Sequence, residues 1–251
     1  MPCCTNHLVL RTIDGAADLL IEELRAMASV RSIRQLSAET VACAVDGPLD
    51  ELVACALYFT VSGAGVAPWM RRFGPLERLP WSTNPVVAEV LVRLAKVRPG
   101  QRVLDPFCGT GTILLAVRRR TPDAHVIGTD HDPHALKLAT TNGCRQLAQT
   151  MAEALPLADA SVDRVVTNLP FGKQVGSHAL NRTLYPAVVS ELDRVLTPAG
   201  RAVLLTEEKR LLNTAIQRHR ALKVVRQRLL RYNGATPTAY VLTRPRRADL
   251  R

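Results

Sequence analysis

Three positions with side-chain oxygens are spaced as a ligand site would need them. In Val103-Leu104-Asp105-Pro106-Phe107-Cys108-Gly109-Thr110-Gly111-Thr112, a carboxylate stands four residues ahead of the first of two glycines. Gly109 and Gly111 permit a tight turn and close backbone approach by a ligand. A helix starting there offers unpaired N–H groups and the positive end of its dipole. Leu114 occupies the place of the third glycine, so the dinucleotide fingerprint fails. Asp105 can instead reach a ligand amine while Phe107, Cys108, Gly109, Thr110 and Gly111 hold the rest. An amino-acid-bearing nucleoside such as S-adenosylmethionine presents both an amine and a carboxylate.

The second position is Asp130, in Gly128-Thr129-Asp130-His131-Asp132. A carboxylate at the end of a strand can accept hydrogen bonds from both hydroxyls of a ribose. The competing role, a helix N-cap, is already filled by Asp132 ahead of Pro133. The third is Asn168-Leu169-Pro170-Phe171. The Asn168 carbonyl and the Leu169 peptide oxygen are two adjacent acceptors, Pro170 stiffens the loop, and Phe171 can stack on a planar base. Two acceptors beside an aromatic ring suit an exocyclic amine. Its lone pair is delocalised into the ring system, and gripping both hydrogens favours a pyramidal nitrogen aimed at an electrophile.

Elements must hold these residues on one rim. From residue 102 the chain alternates strand (102–105), helix (112–119), strand (126–130), helix (133–149), strand (162–168), helix (184–196), strand (202–206) and basic helix (209–219). Two strands follow (222–232, 239–243), with Asn233-Gly234 between them. Such alternation predicts a parallel sheet with helices on both faces, and ligands bind at the carboxyl ends of its strands. Asp105, Asp130 and Asn168 each end a strand. Ahead of this, residues 1–67 read as strand, helix, strand, strand, helix, strand, a ferredoxin-like α+β unit. Residues 68–80, with Pro68, Gly74, Pro75 and Pro80, read as a linker, and residues 81–251 as a Rossmann-like domain.

The chain has 251 residues and a formal charge of +11. Residues 1–80 carry net −2, residues 81–200 net +3 and residues 201–251 net +10. Such a skew points to a polyanionic partner met by the C-terminal region, with a solvated helix face and basic tail as the plainer reading. No run of 18 apolar residues predicts a membrane span, and the first residues lack a secretory pattern. The six cysteines form no paired or His-linked cluster, which predicts neither a metal site nor a disulfide framework and fits a reducing cytoplasm.

The run 105–114 together with Asn168-Leu169-Pro170-Phe171-Gly172 resembles the RNA methylase superfamily of S-adenosylmethionine-dependent enzymes. Within it the chain is most similar to THUMP-associated guanine-N2 methyltransferases that modify tRNA. Pro170-Phe171-Gly172-Lys173-Gln174-Val175-Gly176-Ser177, Leu184-Tyr185, Gly200-Arg201-Ala202 and Asn233-Gly234 carry the likeness further. The resemblance implies S-adenosylmethionine held by Asp105, the 107–111 loop, Asp130 and His131, with Met151, Ala152 and Glu153 beside the adenine. It implies that Asn168, Leu169, Pro170 and Phe171 act on an RNA guanine amine, and that Phe171, Gly172 and Lys173 meet the substrate. Two departures stand out. Met151 replaces the acidic residue that relatives use toward the adenine. Residues 1–67 leave no room for the RNA-capturing THUMP module, so Arg210, Arg226 and Arg228 are candidates for phosphate contacts, or a partner protein presents the RNA. A small-molecule N-methyltransferase that has lost RNA capture is the alternative, and a non-catalytic RNA-binding subunit a third reading.

Overall fold

A computed structural model describes residues 5–63, 66–70, 76–171, 178–219 and 221–244. The chain divides into two compact units: residues 1–74, 85–90 and 230–236, and residues 75–84, 91–229 and 237–251.

In the first unit, β1 (Thr5–Arg11), α1 (Ala17–Arg25), β2 (Val30–Gln35), β3 (Thr40–Asp46), α2 (Asp50–Ala54), β4 (Thr60–Gly63) and β5 (Val66–Met70) follow in that order. The sheet is antiparallel, ordered β2-β3-β1-β4-β5. Alternation along β1 buries Leu8 and Leu10, and α1 buries Leu20 and Leu24 at helical spacing. β5 occupies residues that the sequence reading assigns partly to a linker. Pro68 disguises it, because proline reads as a strand breaker and is tolerated on an edge strand such as this one. Residues 230–236 also belong to this unit, where Arg231 Nη1 pairs with Asp14 Oδ2 at 2.8 Å.

Helix α3 (Pro85–Ala95) precedes the second sheet. Then come β6 (Arg102–Asp105), α4 (Thr112–Arg120), β7 (His125–Asp130), α5 (Pro133–Thr141), β8 (Leu147–Gln149), β9 (Val162–Asn168), α6 (His178–Val195), β10 (Leu196–Thr206), α7 (Lys209–His219), β11 (Lys223–Leu229) and β12 (Thr238–Thr243). The strand order is β11-β12-β10-β9-β6-β7-β8. Five strands are parallel, as expected, but β12 is antiparallel to both β10 and β11, so the sheet is mixed. The expected helix over 133–149 ends at Thr141. Gly143 takes a φ of +92°, and the chain then enters the short edge strand β8. The inner strands are buried and nearly continuous in apolar residues, as parallel strands covered on both faces are. Val103, Leu104, Val165, Val166, Val203 and Leu204 are all 1% exposed or less.

Sheet order reverses between β6 and β9. From β6 the chain runs outward through β7 and β8, then returns to add β9 and β10 on the other side. A crevice at the carboxyl ends of the strands beside such a switch point is where ligands bind in open α/β sheets.

Candidate active site

Asp105, Asp130 and Asn168 do end β6, β7 and β9. Asp105 is 1% exposed. Its Oδ1 accepts from Thr167 Oγ1 at 2.6 Å and from the Phe107 N–H at 3.1 Å, while its buried Oδ2 has no partner among the described residues. Burial pushes its pKa up to about 7 against the pull of the two donors, and the nearby Asp130 carboxylate adds to the rise.

Asp130 organises the turn between strands. Its Oδ2 accepts from the Gly109 N–H at 2.8 Å and its Oδ1 from the Asp132 N–H at 3.0 Å, with His131 Nδ1 3.2 Å from the same Oδ1. Asp132 in turn caps α5 by accepting from the His134 N–H at 2.8 Å. The Thr150 N–H donates to the Asp130 carbonyl, which brings the 150–154 turn alongside. On that turn Met151 is exposed, Ala152 buried and Glu153 exposed.

The two glycines serve different ends. A Cβ on Gly109, whose φ is +51°, would meet nothing within 4 Å. A Cβ on Gly111, at φ +84°, would lie 2.4 Å from Cys144 Sγ. Gly111 therefore also lets the loop pack against Cys144 and against Ala139 of α5, a role beyond the tight turn that its φ permits. Cys108 is buried with Leu114, Ala139 and Cys144, so it offers the site its backbone only. Thr110 is buried too, with Oγ1 3.0 Å from Ser82 Oγ.

At the end of β9, Asn168 Nδ2 donates to Thr83 Oγ1 at 3.1 Å, and Asn168 Oδ1 is buried without a partner among the described residues. The Leu169 N–H bonds to the Leu205 carbonyl of β10. The Pro170 carbonyl accepts from Asn181 Nδ2 at 2.8 Å and Tyr185 Oη at 2.9 Å, and Tyr185 Oη is 2.8 Å from Thr206 Oγ1. Phe171 is half-buried, and Gly172 and Lys173 lie outside the described residues. Arg210 is exposed on α7, and Arg226 and Arg228 lie on β11. β11 is four strand spacings from β6, about 19 Å, so Arg226 and Arg228 stand apart from Asp105, whereas Arg210 follows the carboxyl end of β10, whose Leu205 pairs with Asn168.

Sequence reasoning missed Thr167, Thr83, Ser82, Asn181 and Tyr185 as organisers of the site. The signal for Thr167 was its place one residue before Asn168. Ser82-Thr83 sits between a proline-rich stretch and Asn84-Pro85, where hydroxyls read as turn chemistry.

Residues 79–236 match the model of UPF0020, described as RMKL-like, methyltransferase domain. The chain belongs to this methyltransferase family. It is 37% identical to a tRNA (guanine(6)-N2)-methyltransferase of Thermus thermophilus, over 70% of this chain and 53% of that protein. It is 32% identical to human tRNA (guanine(6)-N(2))-methyltransferase THUMP3, over 66% of this chain and 36% of that protein. The chain thus spans from about a third to about half the length of these curated relatives. Among solved structures, TrmN from Thermus thermophilus superposes with a TM-score of 0.80 at 23% identity, covering 96% of this chain and all of that one. A putative methyltransferase, SMU.472, crystallised with S-adenosylhomocysteine, gives 0.70 at 13% identity, covering 98% of this chain and all of that one. These likenesses establish the α/β class I methyltransferase fold with its mixed sheet.

Proposed function

We propose that this protein is an S-adenosylmethionine-dependent N-methyltransferase acting on the exocyclic amine of guanine in RNA, with tRNA the favoured substrate. The observation that carries the reading is the buried Oδ1 of Asn168, one strand away from the buried Oδ2 of Asp105, both without a partner among the described residues. A buried acceptor left unmatched costs about 1–3 kcal/mol, and ligand donors would relieve both. Relatives named for guanine-N2 methylation support the choice of amine.

The rim suits the cofactor. Asp105 would hold its amine, the loop through Gly109 its amino-acid end, Asp130 its ribose, and Met151, Ala152 and Glu153 would flank its adenine. When bound, S-adenosylmethionine supplies an electrophilic methyl group. Asn168 Oδ1 accepts one hydrogen of the substrate amine. The Pro170 carbonyl is committed to Asn181 and Tyr185, which leaves the Leu169 carbonyl as the second acceptor of this turn. Phe171 stacks on the base. An amide is no base, so the amine proton leaves to water once nitrogen has gained the methyl. Catalysis then rests on proximity and orientation, worth up to about 7–11 kcal/mol.

The first unit is, on this proposal, a ferredoxin-like module, supported by its βαββαβ order and the strand order β2-β3-β1-β4. Arg210, Arg226 and Arg228 would contact RNA phosphates, or a partner protein would present the RNA. The test is methyl transfer from labelled S-adenosylmethionine to tRNA transcripts, total RNA, DNA and free guanine nucleosides, read by mass spectrometry of digested nucleosides. N2-methylguanosine in RNA, lost in Asn168→Ala, is the expected result. Label only in free nucleosides overturns the RNA assignment.

A further inference from the structure

Asn168 can serve as an acceptor only if its amide is turned the right way round. Rotation by 180° about the last side-chain bond exchanges oxygen for NH2 at almost no steric cost. The rotated amide would offer the substrate amine a donor, which repels it. Something must hold the amide, and on its nitrogen side the contact is Thr83 Oγ1 at 3.1 Å.

We propose that Thr83 is a positioning residue that anchors the Asn168 amide at the end of β9. This inference rests on the reading of Asn168 given above. With Nδ2 bonded to the Thr83 hydroxyl, Oδ1 faces the opposite side, where the oxygen is buried and has no partner among the described residues. The neighbouring residues make Thr83 a firm anchor. Arg78 Nη2 donates to the carbonyls of both Ser82 and Thr83, at 3.2 and 3.1 Å. Ser82 Oγ accepts from the Leu79 N–H at 2.9 Å and lies 3.0 Å from Thr110 Oγ1 in the glycine loop. Two adjacent hydroxyls therefore tie one short segment to both sides of the site, Ser82 to the loop after β6 and Thr83 to the end of β9. The amide that grips the acceptor is set from the same segment that braces the cofactor loop.

Thr83→Val keeps the shape and removes the acceptor, and Thr83→Ser keeps the hydroxyl. Three readouts are compared: kcat and KM for RNA methylation, the Kd of S-adenosylhomocysteine by calorimetry, and exchange of the Asn168 side-chain amide protons by nitrogen-15 NMR. Thr83→Val is expected to lower kcat roughly 10- to 100-fold, the scale of a small misplacement of a reacting group. The Kd should stay within about threefold, and the amide protons should lose their protection. Thr83→Ser should restore kcat and protection together, which a purely structural role would not require. If Thr83→Val melts below the assay temperature, Thr83→Ala replaces it. Wild-type kcat and an unchanged amide signal in the variant would overturn the proposal, as would a loss of activity explained wholly by weaker cofactor binding. Should the wild type methylate no RNA, the functional reading fails by itself. The amide signal then decides Thr83 alone: protection lost in Thr83→Val upholds the contact, and protection kept dismisses it.

Discussion

Asp130 Oδ2 accepts from the Gly109 N–H at 2.8 Å, so the carboxylate ending β7 fastens the loop that follows β6. The same carboxylate takes the Asp132 N–H and lies beside His131. Removing it leaves two backbone donors unmatched. Asp130→Ala should cost about 2–4 kcal/mol in urea unfolding, given roughly 1.5–3 kcal/mol for each bond to a charged group and partial rescue by water. Cofactor affinity should fall by more than tenfold, and Asp130→Asn should recover stability better than affinity.

The Asp105 carboxyl, pushed up to about 7 by burial, makes a pH dependence with a definite sign. The folded state holds this proton more tightly than the unfolded chain, whose value is near 3.8. Its contribution to stability is therefore fully present below about pH 4 and is lost as pH rises through about 7. Asp105→Asn should flatten the stability profile across that window. A cationic ligand amine favours the ionised form, so binding S-adenosylhomocysteine at pH 6–7 should release a fraction of a proton. Calorimetry in buffers of different ionisation enthalpy measures it.

Gly111→Ala should fail for two reasons that can be separated. Its φ of +84° penalises any Cβ by roughly 1–2 kcal/mol. The new methyl would also meet Cys144 Sγ at 2.4 Å, and overpacking of this kind costs about 1–3 kcal/mol. Adding Cys144→Ala should relieve the clash and leave the backbone term. Thermal melting of the single and double variants gives both values.

If the arginines of α7 and β11 touch RNA phosphates, binding must weaken with salt. Each phosphate contact contributes about −0.9 to the slope of log affinity against log salt for a duplex. Arg226→Ala and Arg210→Ala should each reduce that slope by about 1 without changing which nucleotide is methylated. Arg231 is expected to behave differently, since it is paired with Asp14. Arg231→Ala should lower stability more than RNA affinity.

What could be read in the sequence was whatever neighbours along the chain determine. Strand–helix alternation placed Asp105, Asp130 and Asn168 at strand ends, and Asp132 with Pro133 announced a helix start. β8 escaped because three residues make no period and Leu147 continued the apolar spacing of α5, although Gly143 marked the break. Asn233-Gly234 carried a hairpin signal for the antiparallel pairing of β11 with β12, but the insertion of β12 beside β10 was unreadable, since neighbours within a sheet are decided by partners and not by the strand itself. Thr83 and Thr167 meet their partners across 85 and 62 residues. No local pattern encodes such pairs. Gly111 was legible as a turn residue, and its φ of +84° requires one, but its close packing on Cys144 was not.

The reversal of strand order between β6 and β9 also governs when the site can come into being. Val103 pairs in register with Arg164, and Asp105 meets Thr167, only after the intervening β7 and β8 segment has been closed off as a loop. Such distant pairing is slow because the entropy of closure must be met before any contact rewards it. A chain emerging from synthesis can complete the glycine turn well before Asn168 exists. The rim that joins Asp105 to Asn168 is therefore complete only once β9 has paired with β6.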